Sequence, residues 1–326
     1  MEPREANCAS GGSQRATEMI GKSDNSSVAA VMILFHPDPH LLFRLVHSVV
    51  PQVDKLFVVD NTPGYGHTIP AVFNNCGRPV TYQANGLNKG VATAQNIGIH
   101  LAMLEHFTHV LLLDQDSALP PGAVESLLAA EQSLLRAGKH VAAVGPLFID
   151  EKSGHPSCGV RHSWFRVQRI PIDRSANESV ETDYLISSGS LMRSSVLNQV
   201  GLMRDELFID WVDAEWGFRA RSCGYQTYIV PSVVMLHSIG DATVRFFGCQ
   251  INLHSAARDY YIVRNAAYLL RERRMGWNWR LVTIINIPKH IIVHAWFSRR
   301  RWVSLRQMLH AIWQGLFGKM TEYHAI

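Results

Sequence analysis

An apolar run that ends in two carboxylates one residue apart stands out in this chain: His109-Val-Leu-Leu-Leu-Asp114-Gln-Asp116-Ser117. Side chains alternate along a strand, so Asp114 and Asp116 point the same way as the chain leaves a sheet. Paired carboxylates are hard oxygen ligands for Mg²⁺ or Mn²⁺, whose remaining positions are commonly filled by substrate phosphates. A bare Asp-x-Asp is more often a polar turn. The reading therefore depends on what accompanies it.

Four further stretches could join it. Asp60-Asn61 closes a second apolar run, although a strand-terminal Asp often only forms a turn. Asn88-Lys89-Gly90 opens a segment with small residues at Ala92, Ala94 and Gly98, where backbone can approach a ligand and free helix-start amides would suit an anion. Trp211, Asp213, Glu215 and Trp216 crowd one helix-like stretch, with Asp213 placed as a cap or a base. Tryptophans in such a stretch often pack the core. His237 ends another apolar run, and neutral imidazole is a common metal ligand.

These residues need elements to hold them. Val28 to Phe35, Leu56 to Val59, Pro79 to Tyr82, Val110 to Leu113, Val141 to Ile149 and Pro231 to His237 read as strands. Helices fit after Asp38, from Asn88 to Leu104 with Val91, Ile97, Leu101 and Leu104 inward, from Pro120 to Arg136, and from about Asp213. Alternation of this kind predicts an α/β fold with a mainly parallel sheet, in which ligands bind beyond the carboxyl ends of the strands. His36, Asp60 and Asp114 to Asp116 all sit at such ends. Glu151 to Glu181 lacks periodicity and reads as one long irregular excursion.

Composition narrows the class. The 326 residues are 47% hydrophobic, as in a globular chain. The five cysteines are scattered without a C-x-x-C, which favours a reducing compartment over a disulfide or zinc framework. Residues 1–27 are polar, lack the apolar core of a signal peptide, and read as a disordered leader. No phosphate-binding loop or dinucleotide fingerprint occurs.

Taken in order, Asp60, Asn88-Lys-Gly90, Asp114-Gln-Asp116, Asp213 and His237 resemble the inverting glycosyltransferases of family 2, and within them the bacterial rhamnosyltransferases. The resemblance spans about Val28 to Arg274. It implies a GT-A catalytic domain over 28–250, Rossmann-like, with a nucleotide-sugar part at 28–117, an acceptor part at 118–250 and C-terminal helices at 251–326. By the same resemblance Asp60, Asn88, Lys89, Gly90, Asn96 and Asp114 contact the donor, and Asp116 and His237 hold Mg²⁺ or Mn²⁺. Asp213 is the general base, with Val212 where the family usually has Glu. Trp211, Glu215 and Trp216 face the acceptor, and Glu215 is the rival base. Absence of Q-x-x-R-W sets the chain apart from processive synthases.

The resemblance implies transfer of L-rhamnose from dTDP-L-rhamnose to an envelope glycan or glycolipid, such as lipopolysaccharide core or O-antigen. One alternative is another donor such as a UDP-hexose; another is a non-catalytic nucleotide-sugar-binding or assembly subunit. Between Arg271 and Lys319 ten Lys/Arg face one acid, Glu272, although the whole chain is only +4. Leu281 to Phe297 is too short and too polar to span a bilayer. Leu305, Met308, Leu309, Ile312, Trp313, Leu316 and Phe317 follow helical spacing beside Arg299 to Arg301, which fits a helix lying on an anionic leaflet. The expected setting is the cytoplasmic side of the inner membrane, peripherally bound. The alternative is packing of these helices on the domain. No nucleic-acid motif accompanies the arginines.

Overall fold

The computed structural model describes residues 26–320 except 65–68, 75, 151–153, 155, 164–165, 177, 238–241, 247–248, 299 and 319. The expected leader, apart from its last two residues, lies outside them.

The elements run β1 (Val28–Leu34), α1 (Pro39–Val49), β2 (Lys55–Asp60), β3 (Val80–Ala84), α2 (Gly90–Leu104), β4 (His109–Asp114), α3 (Ala123–Arg136) and β5 (Val141–Asp150). There follow β6 (Gly159–Ser163), β7 (Arg166–Ile170), β8 (Val180–Thr182), β9 (Leu191–Arg193), α4 (Ser194–Val200), α5 (Val212–Ser222) and β10 (Gln226–His237). The chain closes with β11 (Ala242–Phe246), β12 (Cys249–Leu253), α6 (Ala256–Leu269), α7 (Trp277–Phe297) and α8 (Arg301–Phe317).

Among the described residues eight strands form one sheet in the order β3-β2-β1-β4-β9-β5-β10-β8. The β3-β2-β1-β4 half is parallel, and β9 runs antiparallel between β4 and β5. This is the mixed, mostly parallel sheet flanked by helices that the alternation predicts. Every residue of β1 is buried because helices cover both of its faces. Ala30, Met32 and Leu34 pack in one core with Leu45 of α1 and Leu127 of α3, while Ala29, Val31 and Ile33 pack with Ile99 of α2 and Trp216 of α5. Each fully buried leucine contributes about 1.5–3 kcal/mol.

Asp38 caps α1 by accepting from His40 N–H at 2.8 Å and Leu41 N–H at 3.2 Å. In α2 the inward face is the expected one only in part: Ile97 and Leu101 pack against the core. Leu104 is exposed, and the buried side is Ala92, Gln95, Gly98, Ile99 and Ala102. The cause is close approach to the sheet: a Cβ on Gly98 would lie 2.3 Å from Val31 Cγ1.

Two other expectations are corrected. The excursion before Glu181 contains the β6–β7 hairpin, with β8 following as an edge strand. β10 begins at Gln226, not Pro231, and carries an irregularity between Val230 and Val234, where Pro231 has no N–H to donate. α7 runs through Pro288 without interruption. No helix among the described residues is long and apolar enough to cross a membrane.

The C-terminal helices form a separate layer. α8 presses on α6 so closely that a Cβ on Gly315 would lie 2.3 Å from the Arg264 carbonyl oxygen. The stripe expected to face a leaflet therefore divides, with Met308 buried against α6 and Leu309, Trp313 and Phe317 exposed.

Candidate active site

The carboxyl ends of β1, β2 and β4 open on one side of the sheet, and their loops are laced together. Gln115 accepts from Phe35 N–H at 2.7 Å and donates to Phe35 O at 3.0 Å, tying the end of β4 to that of β1. Asp60 is buried at the end of β2, where it accepts from Thr62 N–H at 2.8 Å and Tyr82 Oη–H at 2.6 Å. Asn61 donates to Gly90 O at 2.9 Å, which fastens the start of α2 to this edge.

The Asn88 to Gly90 segment makes a tight turn. Asn88 Oδ1 accepts from Gly90 N–H at 2.9 Å, and Gly90 has φ +82°. A side chain there would meet Phe208, with Cδ2 at 2.6 Å and the carbonyl oxygen at 2.7 Å. That same carbonyl accepts from Val91 N–H at 2.6 Å and Ala92 N–H at 3.2 Å. The helix-start amides are thus capped from within the chain, so the expected free anion seat at the start of α2 is corrected. Lys89 precedes α2 and is half-buried.

Asn96 is also reassigned. Its Nδ2 donates to Met203 O and Asp205 Oδ1, each at 2.8 Å, and its Oδ1 accepts from Met203 N–H at 2.8 Å. A fully engaged amide brackets a loop and has nothing left for a donor.

Asp114 closes β4 and Asp116 stands near it just beyond the strand. Burial, and then the neighbouring Asp116 charge, push the Asp114 carboxyl up to about 6, against the opposing pull of Arg258. The loop is drawn across the sheet by an isolated bridge between Ala118 and Leu236, the residue before His237. The side chain of His237, the second expected metal ligand, lies outside the described residues.

Asp213 sits in the first turn of α5. Its Oδ2 accepts from Ser187 N–H at 3.1 Å, and its Oδ1 accepts from the Ser187 hydroxyl. Burial raises its carboxyl to about 6; the Ser187 bonds oppose this, and the charges of Asp114 and Asp210 add to it. Asp114 and Asp213, far apart in sequence, therefore share one buried electrostatic field.

Ser187 and Ser188, in a stretch whose small residues mark it only as a turn, bond to the two acids. Ser188 Oγ accepts from Asp114 N–H at 3.2 Å and lies 2.6 Å from Ser117 Oγ. The loop can turn there because Gly189 has φ +80°. The Ser-Ser-Gly-Ser string was visible, but only the fold shows that it links the two acids.

A second group, missed by motif reading, comes from α6. Arg258 forks onto Asp210, with Nε at 3.2 Å from Oδ2 and Nη2 at 3.1 Å from Oδ1. Behind it, Asn265 Nδ2 donates to the carbonyls of Leu207, Ile209 and Asp210 at 2.8, 2.8 and 2.9 Å. Arg264 Nη2 adds a bond to Glu206 O at 2.7 Å. Both side chains are buried. They hold a segment in which Phe208, Asp210 and Trp211 all have positive φ, a conformation that persists only when surroundings enforce it.

Two of the three acceptor candidates are corrected. Trp216 is buried and donates from Nε1 to Gly201 O at 2.9 Å. Glu215 is buried between Arg219, with Nη2 at 2.9 Å, and Arg204, with Nε at 3.0 Å. Trp211 donates to Ile262 O at 3.1 Å and packs toward α6. Trp216 and Glu215 look into the protein, while Trp211 is half-buried and lines an apolar pocket with Ile262, Trp279 and His290.

No family model matches the chain. It is 32% identical over 253 residues to the dTDP-rhamnosyl transferase RfbF of Shigella flexneri, covering 77% of this chain and 82% of the relative. It is 27% identical over 323 residues to the N-acetylglucosaminyl-diphospho-decaprenol L-rhamnosyltransferase of Mycobacterium tuberculosis, covering 86% and 98%. Among solved structures, GalNAc-T7 with UDP, GalNAc and Mn²⁺ matches at TM-score 0.55 and 15% identity over 90% of this chain, which spans 58% of that protein. S. aureus TarS 1-349 in complex with UDP-GlcNAc matches at TM-score 0.51 and 11% identity, over 90% of this chain and 82% of that one. At such identities the solved structures establish the fold alone.

Proposed function

The chain belongs to the rhamnosyltransferase group of family-2 glycosyltransferases with the GT-A fold, and on that premise we propose that it transfers L-rhamnose from dTDP-L-rhamnose to a hydroxyl of a bacterial cell-envelope glycan or glycolipid. Inversion at the anomeric carbon is part of the proposal. The observation that carries it is the shared field of Asp114 and Asp213 at the mouth of the sheet, where both carboxyls rise to about 6.

In this reading Asp213 accepts the proton of the acceptor hydroxyl as the acceptor oxygen bonds to the anomeric carbon. The bond from that carbon to the diphosphate oxygen breaks, and dTDP departs with the electron pair. A base poised near the working pH combines the correct ionisation with useful driving force, and such a group contributes ~10²- to 10⁴-fold. Ser187 aims both carboxylate oxygens and leaves a lone pair for the incoming proton. Asp60, Asn88, Lys89, Gly90 and Asp114 border the donor, and Arg258 attracts its diphosphate.

The residues present suit a divalent ion, because the Asp116 charge adds to the cost of ionising Asp114 and a cation relieves it. Asp116 with His237 would hold Mg²⁺ or Mn²⁺, which when bound neutralises charge on the departing diphosphate.

Association with an anionic membrane surface on the cytoplasmic side belongs to the same proposal. Its support is an exposed apolar band on α7 and α8: Ile292 at 68%, Trp296 at 59%, Trp302 at 78%, Trp313 at 55% and Phe317 at 75% exposed. Arg301 stands 4.8 Å from the Trp296 ring, so cationic and aromatic groups share the band as they do at bilayer interfaces.

Calorimetric titration of dTDP, UDP and GDP, each with and without Mn²⁺, tests the donor. Metal-dependent preference for dTDP is expected, and preference for UDP would remove dTDP-rhamnose from the account.

A further inference from the structure

Away from the sheet, α6 and α7 bring Asp259, His290 and His294 together, with one ligand atom from each lying within 4.8 Å of the others. A single oxygen is the focus. Asp259 Oδ1 lies 2.8 Å from His294 Nδ1 and 3.2 Å from His290 Nε2. The two histidines are four residues apart in a helix and so share one face, the spacing by which helical histidine pairs grip Zn²⁺. Their rings stack with centroids 3.8 Å apart.

A third imidazole, that of His254, stands nearby. His254 stacks on His294 at 5.8 Å between centroids, and its Nδ1 is buried with no hydrogen-bond partner among the described residues. A buried polar atom without a partner is unusual and calls for an explanation. Two or three imidazoles with one carboxylate form a nitrogen-rich set, suited to a borderline ion such as Zn²⁺ and poorly suited to Mg²⁺.

We propose that Asp259, His290 and His294, joined by His254, form a Zn²⁺-class site distinct from the Asp116 site. Binding needs no net redox or covalent chemistry: each imidazole ligates through the lone pair of one nitrogen and keeps its single proton on the other. The ion replaces the two hydrogen bonds now made to Asp259. Its consequence is mechanical. It clamps α7, which bears the exposed apolar band, to α6, which carries Arg258 and the Asn265 cradle.

The test uses the full chain, stripped of metal by chelator and dialysed. Titration with Zn²⁺ is expected to show one site per chain, and Co²⁺ to give the visible bands of tetrahedral nitrogen ligation. Thermal midpoints should rise by several degrees with Zn²⁺. His290→Ala with His294→Ala should abolish all three signals, whereas Asp116→Asn should retain them. His254→Ala, a milder change, should weaken Zn²⁺ binding about tenfold, the loss expected for a supporting ligand. No binding by the unmodified chain, or binding lost in Asp116→Asn and kept in the histidine double variant, would overturn the site. Because the readouts are independent of sugar transfer, failure of the donor assignment leaves this test intact.

Discussion

Ser187 holds Asp213 by both oxygens, through its backbone N–H at 3.1 Å and its hydroxyl. The hydroxyl bond stabilises the charged carboxylate and works against burial. Ser187→Ala should therefore move the acidic limb of the pH–kcat/KM profile upward and lower kcat ~10- to 100-fold, the range for one hydrogen bond to a charged group. An unshifted limb would mean that the pair is only structural.

Asp213→Asn removes the base while keeping the shape. Activity should fall ~10²- to 10⁴-fold, with dTDP affinity retained. Stability should change in the opposite sense. The folded-state carboxyl lies at about 6, above its ordinary 3.8, so its ionisation weakens the fold as pH rises through that window. At pH 7–8 the Asn variant is expected to gain about 1–2 kcal/mol, read as a higher midpoint in denaturant.

The acid limb of the native enzyme should fall near pH 6, since Asp114 and Asp213 both titrate at about 6. The two acids are coupled, so two macroscopic steps belong to the pair and not to either residue. Measured kcat/KM that stayed flat from pH 5 to pH 8 would exclude Asp213 as the proton acceptor.

Glu215 lies between Arg204 and Arg219 with little exposure. Glu215→Gln takes the carboxylate from the buried Arg219, and one of two from Arg204, which keeps Glu272, and should cost about 3–5 kcal/mol of stability. The kcat of the folded fraction should be unchanged. A selective rise in acceptor KM without loss of stability would restore Glu215 to the acceptor site.

Gly90→Ala combines a φ of +82° with a Cβ 2.6 Å from the Phe208 ring. Stability should fall by about 1–3 kcal/mol, and the KM for donor should rise because the Asn88 turn is displaced. Differential scanning calorimetry and initial rates measure the two effects.

The strand ends, and with them Asp60, Asp114 and Asp116, were legible because apolar runs stopping at carboxylates are a local signal. Asp213 was legible as a helix-start acid. What failed was orientation. Helical spacing cannot say which way Glu215 and Trp216 point, and both turned inward because α5 is buried on nearly every side. Asn96 and the α2 amides looked free in sequence; their partners, Met203 and Phe208, lie more than a hundred residues along the chain. Ser187 sat in a visible small-residue turn with nothing to show its partner, and Arg258 and Asn265 had no motif to mark them. Their roles arise from long-range packing, which a local pattern does not encode.

The central claim is that Asp213 takes the acceptor proton in rhamnosyl transfer from dTDP-L-rhamnose. Its most direct test is transfer of radiolabelled rhamnose to bacterial envelope extract by the native enzyme and by Asp213→Asn, with dTDP binding measured on both. The account predicts transfer by the native enzyme, a loss of at least about 100-fold in the variant, and equal dTDP affinity. Transfer by the variant at the native rate would contradict it.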